Sequence, residues 1–206
     1  WKWRMHGGAV TLAKEYRKQN PTPDLLLASD MLDLSSFLAL TRNLTVDARA
    51  YVPVSRRSEI ALRWWGAHAE GNRPSVFAFG GLDSVRGVDV RSRAGNRATF
   101  ANVEWRFPLV DRLDMPFLRI QGVRGRLFLD VGAAWYDLDG EEYNSFGQPG
   151  FTFIDDGRLV DGIAAYGWGL SANLLGVPFH WEFSKRWDFE ETLSDTEVDF
   201  WIGWKF

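Results

Sequence analysis

Few residues of this chain belong to sequence patterns that are typical of catalytic or cofactor-binding sites. Residues 167–172 read Gly-Trp-Gly-Leu-Ser-Ala and match the G-x-G-x-x-A fingerprint of dinucleotide-binding loops. That fingerprint needs a strand before it and a helix after it, so that backbone N–H groups meet the pyrophosphate. Here the segment lies inside an alternating strand pattern, and another such pattern follows. We therefore expect no cofactor here, and interpret the glycines as small residues on an inner face.

Acidic residues and histidines are the remaining candidates. One predicted loop holds four carboxylates, Asp137, Asp139, Glu141 and Glu142. Their spacing is not that of an EF-hand, so a solvated loop is the better interpretation. The three histidines are far apart, at His6, His68 and His180, without a second ligand at zinc spacing. No G-x-S-x-G nucleophile elbow is present. We expect no metal site, no catalytic residue and no enzymatic activity.

Composition narrows the function classes. The 206 residues carry 24 basic and 27 acidic side chains, a net charge of −3, which argues against a nucleic-acid partner bound through a broad basic surface. Cysteine is absent, which excludes a disulfide framework and a thiolate metal site. The 11 Trp and 15 Phe exceed what an ordinary soluble core needs and favour aromatic girdles at two membrane interfaces. The chain begins Trp-Lys-Trp without a charged and then apolar leader, so we expect a signal peptide, or more, upstream.

The C-terminal residues give the clearest structural signal. From residue 198 to residue 206 every even position is apolar: Val198, Phe200, Ile202, Trp204 and Phe206. Successive side chains of a strand point to opposite faces, so these five share one face. Lipid on one side and water on the other is the simplest cause. We predict a membrane strand, interrupted by Gly203.

The same period-2 alternation recurs along the chain and predicts about eight strands. They cover about residues 4–17, 36–54, 57–70, 97–109, 121–137, 162–176, 177–190 and 198–206. Tight turns lie near Ser55 and Gly176, and about ten residues connect the fourth strand to the fifth. These connections alternate with long ones at 18–35, 71–96 and 138–161, and with a shorter one at 190–195. Short turns on one side and long loops on the other are typical of outer-membrane barrels. A soluble sandwich or lipocalin-like barrel is the alternative.

The fold prediction is therefore all-β, an antiparallel transmembrane β-barrel. Six tryptophans are in phase with their strands' apolar sets and should face lipid: Trp64, Trp105, Trp135, Trp168, Trp181 and Trp204. An open edge in lipid would leave backbone groups without partners. Eight strands enclose a lumen only wide enough for side chains. We expect that both edge strands pair with strands beyond these residues.

Three motifs occur in order along the chain. Residues 79–88 read Phe-Gly-Gly-Leu-Asp-Ser-Val-Arg-Gly-Val, residues 104–109 read Glu-Trp-Arg-Phe-Pro-Leu, and residues 128–132 read Phe-Leu-Asp-Val-Gly. Together with the aromatic C-terminal strand, they resemble the outer-membrane barrel-assembly superfamily, the bacterial surface antigen family with BamA-like and TamA-like members. The resemblance covers about residues 37–206, and Val88 departs from the aromatic residue that the family prefers.

This resemblance implies that residues 1–206 are the C-terminal half of an outer-membrane β-barrel domain of roughly sixteen strands, whose loop of about 71–96 enters the lumen. The implied loop motif is Gly80, Gly81, Ser84, Val85, Arg86 and Gly87. The implied docking partners are Asp130, Glu104, Phe128 and Gly132, and the implied C-terminal strand residues are Phe200, Ile202, Gly203, Trp204 and Phe206. The strand phases independently turn the two carboxylates inward, where a planar guanidinium can bind one of them with two hydrogen bonds.

The function that the resemblance implies is insertion or translocation of proteins at the bacterial outer membrane. Two alternatives stay open: a membrane anchor or secretion pore for an upstream soluble domain, and a structural barrel subunit of a larger envelope complex. Outer-membrane lipid is the expected surrounding. Expected partners are additional barrel strands from upstream sequence or a second subunit, and client proteins or envelope subunits. No nucleic-acid partner is expected.

Overall fold

The chain folds into antiparallel β-structure. The structure is a computed structural model that describes residues 13–18, 40–71, 73–115, 118–174 and 176–203. The strands in these residues are, in chain order, Ala13–Lys18 (β1), Leu40–Pro53 (β2), Glu59–Glu70 (β3), Phe77–Phe79 (β4), Arg93–Gly95 (β5), Arg97–Met115 (β6), Leu118–Leu138 (β7), Glu141–Asn144 (β8), Ile154–Asp155 (β9), Arg158–Leu159 (β10), Gly162–Leu174 (β11), Val177–Trp187 (β12) and Glu197–Ile202 (β13). Within the described residues, no helix is long and apolar enough to cross a membrane.

One large sheet organises the molecule. Its strands follow the order β1-β2-β3-β6-β7-β11-β12-β13, and each is antiparallel to its neighbours. The short β8 pairs with the end of β7 beyond the reach of β11. The eight predicted strands correspond to these eight in sequence. The predicted all-β, antiparallel fold is therefore confirmed.

The sheet is open where the structure describes it. Among the described residues, β1 pairs only with β2, and β13 pairs only with β12. Direct pairing of β1 with β13, which would close an eight-stranded barrel, does not occur among them, so no closed barrel is present there. Each of these two edges therefore presents backbone N–H and C=O groups without a strand partner in this part of the chain.

The hairpin of β6 and β7 corrects one prediction. The expected connection of about ten residues is wrong, because β6 continues to Met115 and β7 already begins at Leu118. The pairing register shifts by one residue between Pro108 and Val110. Proline has no N–H to donate to a ladder, and a bulge accommodates it. The bulge also reverses the alternation of β6, which is why the sequence pattern ended near Leu109.

One row of large apolar side chains crosses six strands on what we call the outward face. Strand pairing places these residues side by side: Ile60, Trp105, Leu127, Trp168, Phe183 and Val198. The rings of Trp168 and Phe183 stack, with centroids 4.1 Å apart. Trp105, Leu127 and Trp168 nevertheless stay 43–46% exposed. The outward face is thus apolar and continuous, and the described part of the chain leaves it open.

The opposite, inward face holds the main hydrophobic core. It lies between the sheet and the segment 71–96, which doubles back through the β4–β5 hairpin. The buried cluster consists of Phe79, Val85, Ala98, Phe100, Ala134, Ile163 and Ala165. Gly132 makes room for it, because a Cβ atom there would lie 2.9 Å from both the Phe79 ring and the Cβ of Phe100. The segment 71–96 is therefore docked on the sheet.

The predicted lipid-facing tryptophans divide into three groups. Four of them lie on the outward face and are 37–49% exposed: Trp64, Trp105, Trp168 and Trp181. Trp135 differs from the expectation, because its ring stacks on Phe151 of the connection after β8, with centroids 4.6 Å apart, and is only partly exposed. Trp204 lies outside the described residues.

Candidate functional site

The candidate site begins with the turn of the glycine-rich loop, residues 79–88. Gly80 and Gly81 adopt φ values of 131° and 88°, which favour glycine. A Cβ atom on Gly80 would lie 2.3 Å from the backbone oxygen of Asp89. The Gly80 N–H donates to Ser84 Oγ at 2.8 Å, and the Gly81 N–H donates to the Val85 oxygen at 3.0 Å. This tight turn places Val85 and Arg86 against the sheet.

Arg86 is the centre of the site and is 1% exposed. Its Nε and Nη2 atoms donate to the two oxygens of Asp130, each at 2.6 Å, and its backbone N–H donates to Asp130 Oδ2 at 3.1 Å. Its Nη1 donates to Glu104 Oε1 at 2.6 Å and, at 3.4 Å, to Glu182 Oε2. The guanidinium therefore joins carboxylates from three strands, β6, β7 and β12.

Two residues beneath the loop fit it closely. The Arg86 Cζ atom lies 3.6 Å from the centroid of the Phe128 ring, a cation–π contact. Gly87 packs against β12, because a Cβ atom there would lie 2.7 Å from Ser184 Oγ. Val88 is partly buried against the hydrophobic core, so a valine fills the position where an aromatic residue was expected. The loop thus contacts the sheet through a cation–π contact and through the close packing of Gly87 and Val88.

Two further arginines balance the charge. Glu104 binds Arg86 through Oε1 and Arg106 through Oε2, the latter at 2.6 Å from Arg106 Nη2. Glu182 likewise receives a hydrogen bond from Arg126 Nη1 to Oε1 at 2.8 Å. We call these six residues the Arg86 cluster: Arg86, Arg106, Arg126, Glu104, Asp130 and Glu182. With three cations and three anions it is neutral as a whole, which reduces the cost of burying its members.

The surroundings keep Arg86 charged. Burial alone would lower the pKa of its guanidinium, but the carboxylate of Asp130, followed by those of Glu104 and Glu182, outweighs burial and holds the pKa above its ordinary value. Asn102 completes the link between loop and sheet. Its Nδ2 donates to Asp130 Oδ1 at 2.8 Å and also to the backbone oxygen of Ser84. The cluster can therefore hold the loop in one position.

The structure brings most of the predicted site residues together. Arg86 lies on Asp130 and Glu104, as the strand phases indicated, and Phe128 lies under its guanidinium. The C-terminal strand lies elsewhere. Phe200 and Ile202 point outward and are exposed, and the Gly203 N–H donates to the Pro178 oxygen. Trp204 and Phe206 lie outside the described residues.

Sequence reasoning missed Glu182, Asn102 and the two flanking arginines as members of the site. Their inward orientation could be predicted from the sequence alternation, since Glu182 lies opposite the apolar set of its strand and Asn102 shares a face with Glu104. What was missing is the register. Glu182 reaches the site because β12 pairs with β11 through Gly169, which in turn lies beside Arg126 on β7. No local pattern encodes that sequence of pairings.

Comparison with known proteins finds a family model other than that of the family that the three motifs resemble. The first part of the chain, residues 1–52, matches the family model described as the N-terminal part of tRNA-queuosine alpha-mannosyltransferase. The matched residues include β1 and nearly all of β2, and they make up about a quarter of the 206 residues. No curated protein matches the chain, and no solved structure matches it.

This match corrects four predictions. The resemblance to the barrel-assembly superfamily is contradicted, because the matching family model is that of a transferase. The expected role in inserting or translocating proteins, with its anchor, pore and envelope-complex alternatives, is contradicted with it, as is the description of the chain as BamA-like. The prediction that the chain is not an enzyme is contradicted as well, since the matched family is named for an enzymatic activity. Three short motifs describe local turns and strands, and local chemistry of this kind does not establish a family.

Proposed function

We propose that the sheet is embedded in a lipid bilayer, that of the bacterial outer membrane. In this proposal the outward face contacts acyl chains, and the inward face carries the docked segment 71–96 away from lipid. The strongest support is the apolar row across six strands, four of whose members, Trp105, Leu127, Trp168 and Val198, stay 43–59% exposed despite their size. Soluble monomers rarely expose contiguous apolar patches larger than a few hundred Å².

Contact of the outward face with lipid would bury apolar surface that is now exposed. Removing a large apolar side chain from water is worth about 1.5–3 kcal/mol. The four exposed members of the row retain roughly half of their accessible surface, so burying the rest of it represents on the order of 5 kcal/mol. The outward positions of the neighbouring row on β6 and β7, Val103 and Leu129, are also exposed. Contact with acyl chains would make this free energy available.

The distribution of charge supports the same orientation. The Arg86 cluster lies on the inward face, and each of its carboxylates accepts hydrogen bonds from at least one arginine. Charged side chains that face acyl chains are costly, so a lipid-embedded sheet places them on the other side. The inward location of all six charges is what this orientation requires.

The open edges complete the proposal. In lipid, the unpaired backbone groups of β1 and β13 would each cost several kcal/mol, because acyl chains offer no hydrogen bond. Further strands must then cover both edges. They come either from another part of a longer polypeptide or from a second subunit.

Site-directed spin labelling tests the proposal. Because the chain has no cysteine, the spin label reacts only with the cysteine that is introduced. Leu129→Cys places a label on the outward face of β7, and Ser171→Cys places one on the inward face of β11. In liposomes, we expect the first label to collide more with dissolved oxygen and the second more with a polar nickel chelate. If both labels collide equally with the chelate, the outward face lies in water and the proposal fails.

The family match favours a second candidate function, transfer of a mannosyl group to the queuosine of tRNA. Its support is the match over residues 1–52. The test incubates the purified protein with a mannosyl donor and tRNA, with tRNA lacking queuosine as the control. Mannose incorporated only into queuosine-bearing tRNA would establish this activity, and no incorporation into either tRNA would exclude it for this chain.

A further inference from the structure

A second feature of the inward face lies beside the Arg86 cluster, toward the tight turns of the sheet. It is a cavity of about 380 Å³ between β6, β7, β11 and β12. Its polar lining side chains are Arg106, Arg124, Arg126, Ser171, Asn173 and His180. The volume falls in the range of small-molecule pockets. The cavity is therefore large enough for a ligand and is lined by hydrogen-bond donors.

The charge of this lining has one sign. Among the described residues that line it, three contribute guanidiniums and none is an Asp or a Glu. The carboxylates that bind Arg106 and Arg126, Glu104 and Glu182, belong to the adjacent Arg86 cluster. Arg124 is exposed and forms no ion pair with a carboxylate in the described part of the chain. Such a cavity attracts an anion.

The donors are held in place before any ligand arrives. Arg126 Nη2 lies 2.6 Å from His180 Nδ1. Because a guanidinium can only donate, Nδ1 accepts, so the proton of the neutral ring is on Nε2, which donates to the Gly203 oxygen at 3.0 Å. The His180 ring also stacks on Trp201, with centroids 3.6 Å apart. These contacts fix the direction of Arg126 at low entropic cost for binding.

We propose that this cavity binds a phosphate monoester. A guanidinium fork donates two parallel hydrogen bonds to phosphate oxygens, and Arg124 supplies a positive charge that no carboxylate of the described residues already balances. The Ser171 hydroxyl and the Asn173 amide lie on the cavity wall as further donors. The phosphate belongs either to a soluble small molecule or to a lipid headgroup. This inference does not depend on the lipid contact of the outward face.

Isothermal titration calorimetry on the full chain in non-ionic detergent tests the proposal. The probes are inorganic phosphate, glycerol 3-phosphate and acetate, followed by vesicles that contain phosphatidic acid. We expect binding of both phosphates with one site per chain, weaker binding of acetate, and affinity that falls with added salt. Arg124→Gln should weaken phosphate binding about tenfold, because it removes a charge-assisted contact.

The matched control is Arg56→Gln, which removes an exposed arginine from the tight turn between β2 and β3, outside the cavity. It should change the affinity less than about twofold. Asn173→Ala is a second cavity variant should Arg124→Gln fold poorly. Binding that is seen only with vesicles and is lost in Arg124→Gln supports a lipid headgroup. No binding of any phosphate probe, or equal loss in Arg124→Gln and Arg56→Gln, overturns the proposal.

Discussion

Replacing Arg86 with Met is expected to lower the free energy of unfolding by about 3–5 kcal/mol. Met keeps much of the side-chain volume but removes the only cation that all three carboxylates of the Arg86 cluster share. Asp130, which is fully buried, would lose its bidentate partner. Breaking one side of a buried ion pair is costly because the other side stays desolvated. Denaturant unfolding followed by tryptophan fluorescence measures the loss.

Arg91→Met is the matched control, since Arg91 is an exposed residue a few positions along the same segment. We expect it to change the free energy of unfolding by less than about 0.5 kcal/mol. Limited proteolysis should cut the segment 71–96 of the Arg86→Met variant first, with the far-UV signal of the sheet retained. A loss in Arg86→Met no larger than that in Arg91→Met would show that the cluster does not stabilise the fold. Loss of the sheet signal would contradict a role confined to the loop.

Replacing Leu129 with Arg is the second change with a large expected effect. Leu129 points outward from β7 and pairs with Val103 and Tyr166, which are also exposed. In a bilayer, an arginine at such a position costs about 2–4 kcal/mol near the midplane, because the charge must leave water. In water, the same change at an exposed strand position would cost little. Reversible unfolding from liposomes in urea gives the difference in free energy.

The control for this change is Val90→Arg, a position that is 77% exposed in the docked segment. It should be nearly neutral in liposomes, within about 0.5 kcal/mol. If Leu129→Arg is as mild as Val90→Arg in liposomes, then Leu129 does not contact acyl chains.

The strands were predictable because alternation is a local signal. Trp105 faces outward and Glu104 inward for the same reason, and each could be assigned from its neighbours in sequence. The bulge after Pro108 was not predicted, since it reverses the alternation and looks like the end of a strand. The alternation also could not predict whether the sheet closes into a barrel, because closure depends on what pairs with β1 and β13.

The site was predictable in part. The contact of Arg86 with Asp130 was expected from the resemblance of the loop motif, and the inward phase of the carboxylate, which is visible in sequence, supported it. Glu182 joins them only through the register of β12 on β11, which depends on pairing across the sheet. The same limit applies to the phosphate cavity, where Arg124 and His180 are 56 positions apart in sequence but meet through Ser171. Family assignment from short motifs failed because turns and strands of similar local chemistry recur in unrelated proteins.

Quenching of tryptophan fluorescence by lipids brominated on their acyl chains tests the lipid contact of the outward face most directly. Among the described residues, Trp64, Trp105, Trp168 and Trp181 lie exposed on the outward face, whereas Trp65 and Trp201 lie on the inward face against Phe100 and His180. We predict strong quenching of the unmodified chain in brominated liposomes and a clear decrease when these four outward tryptophans are replaced by Phe. Replacing Trp65 and Trp201 by Phe should leave the quenching nearly unchanged. Equal quenching before and after the outward replacements, or a protein that stays monomeric in water without detergent and is not quenched at all, would contradict a lipid-embedded sheet.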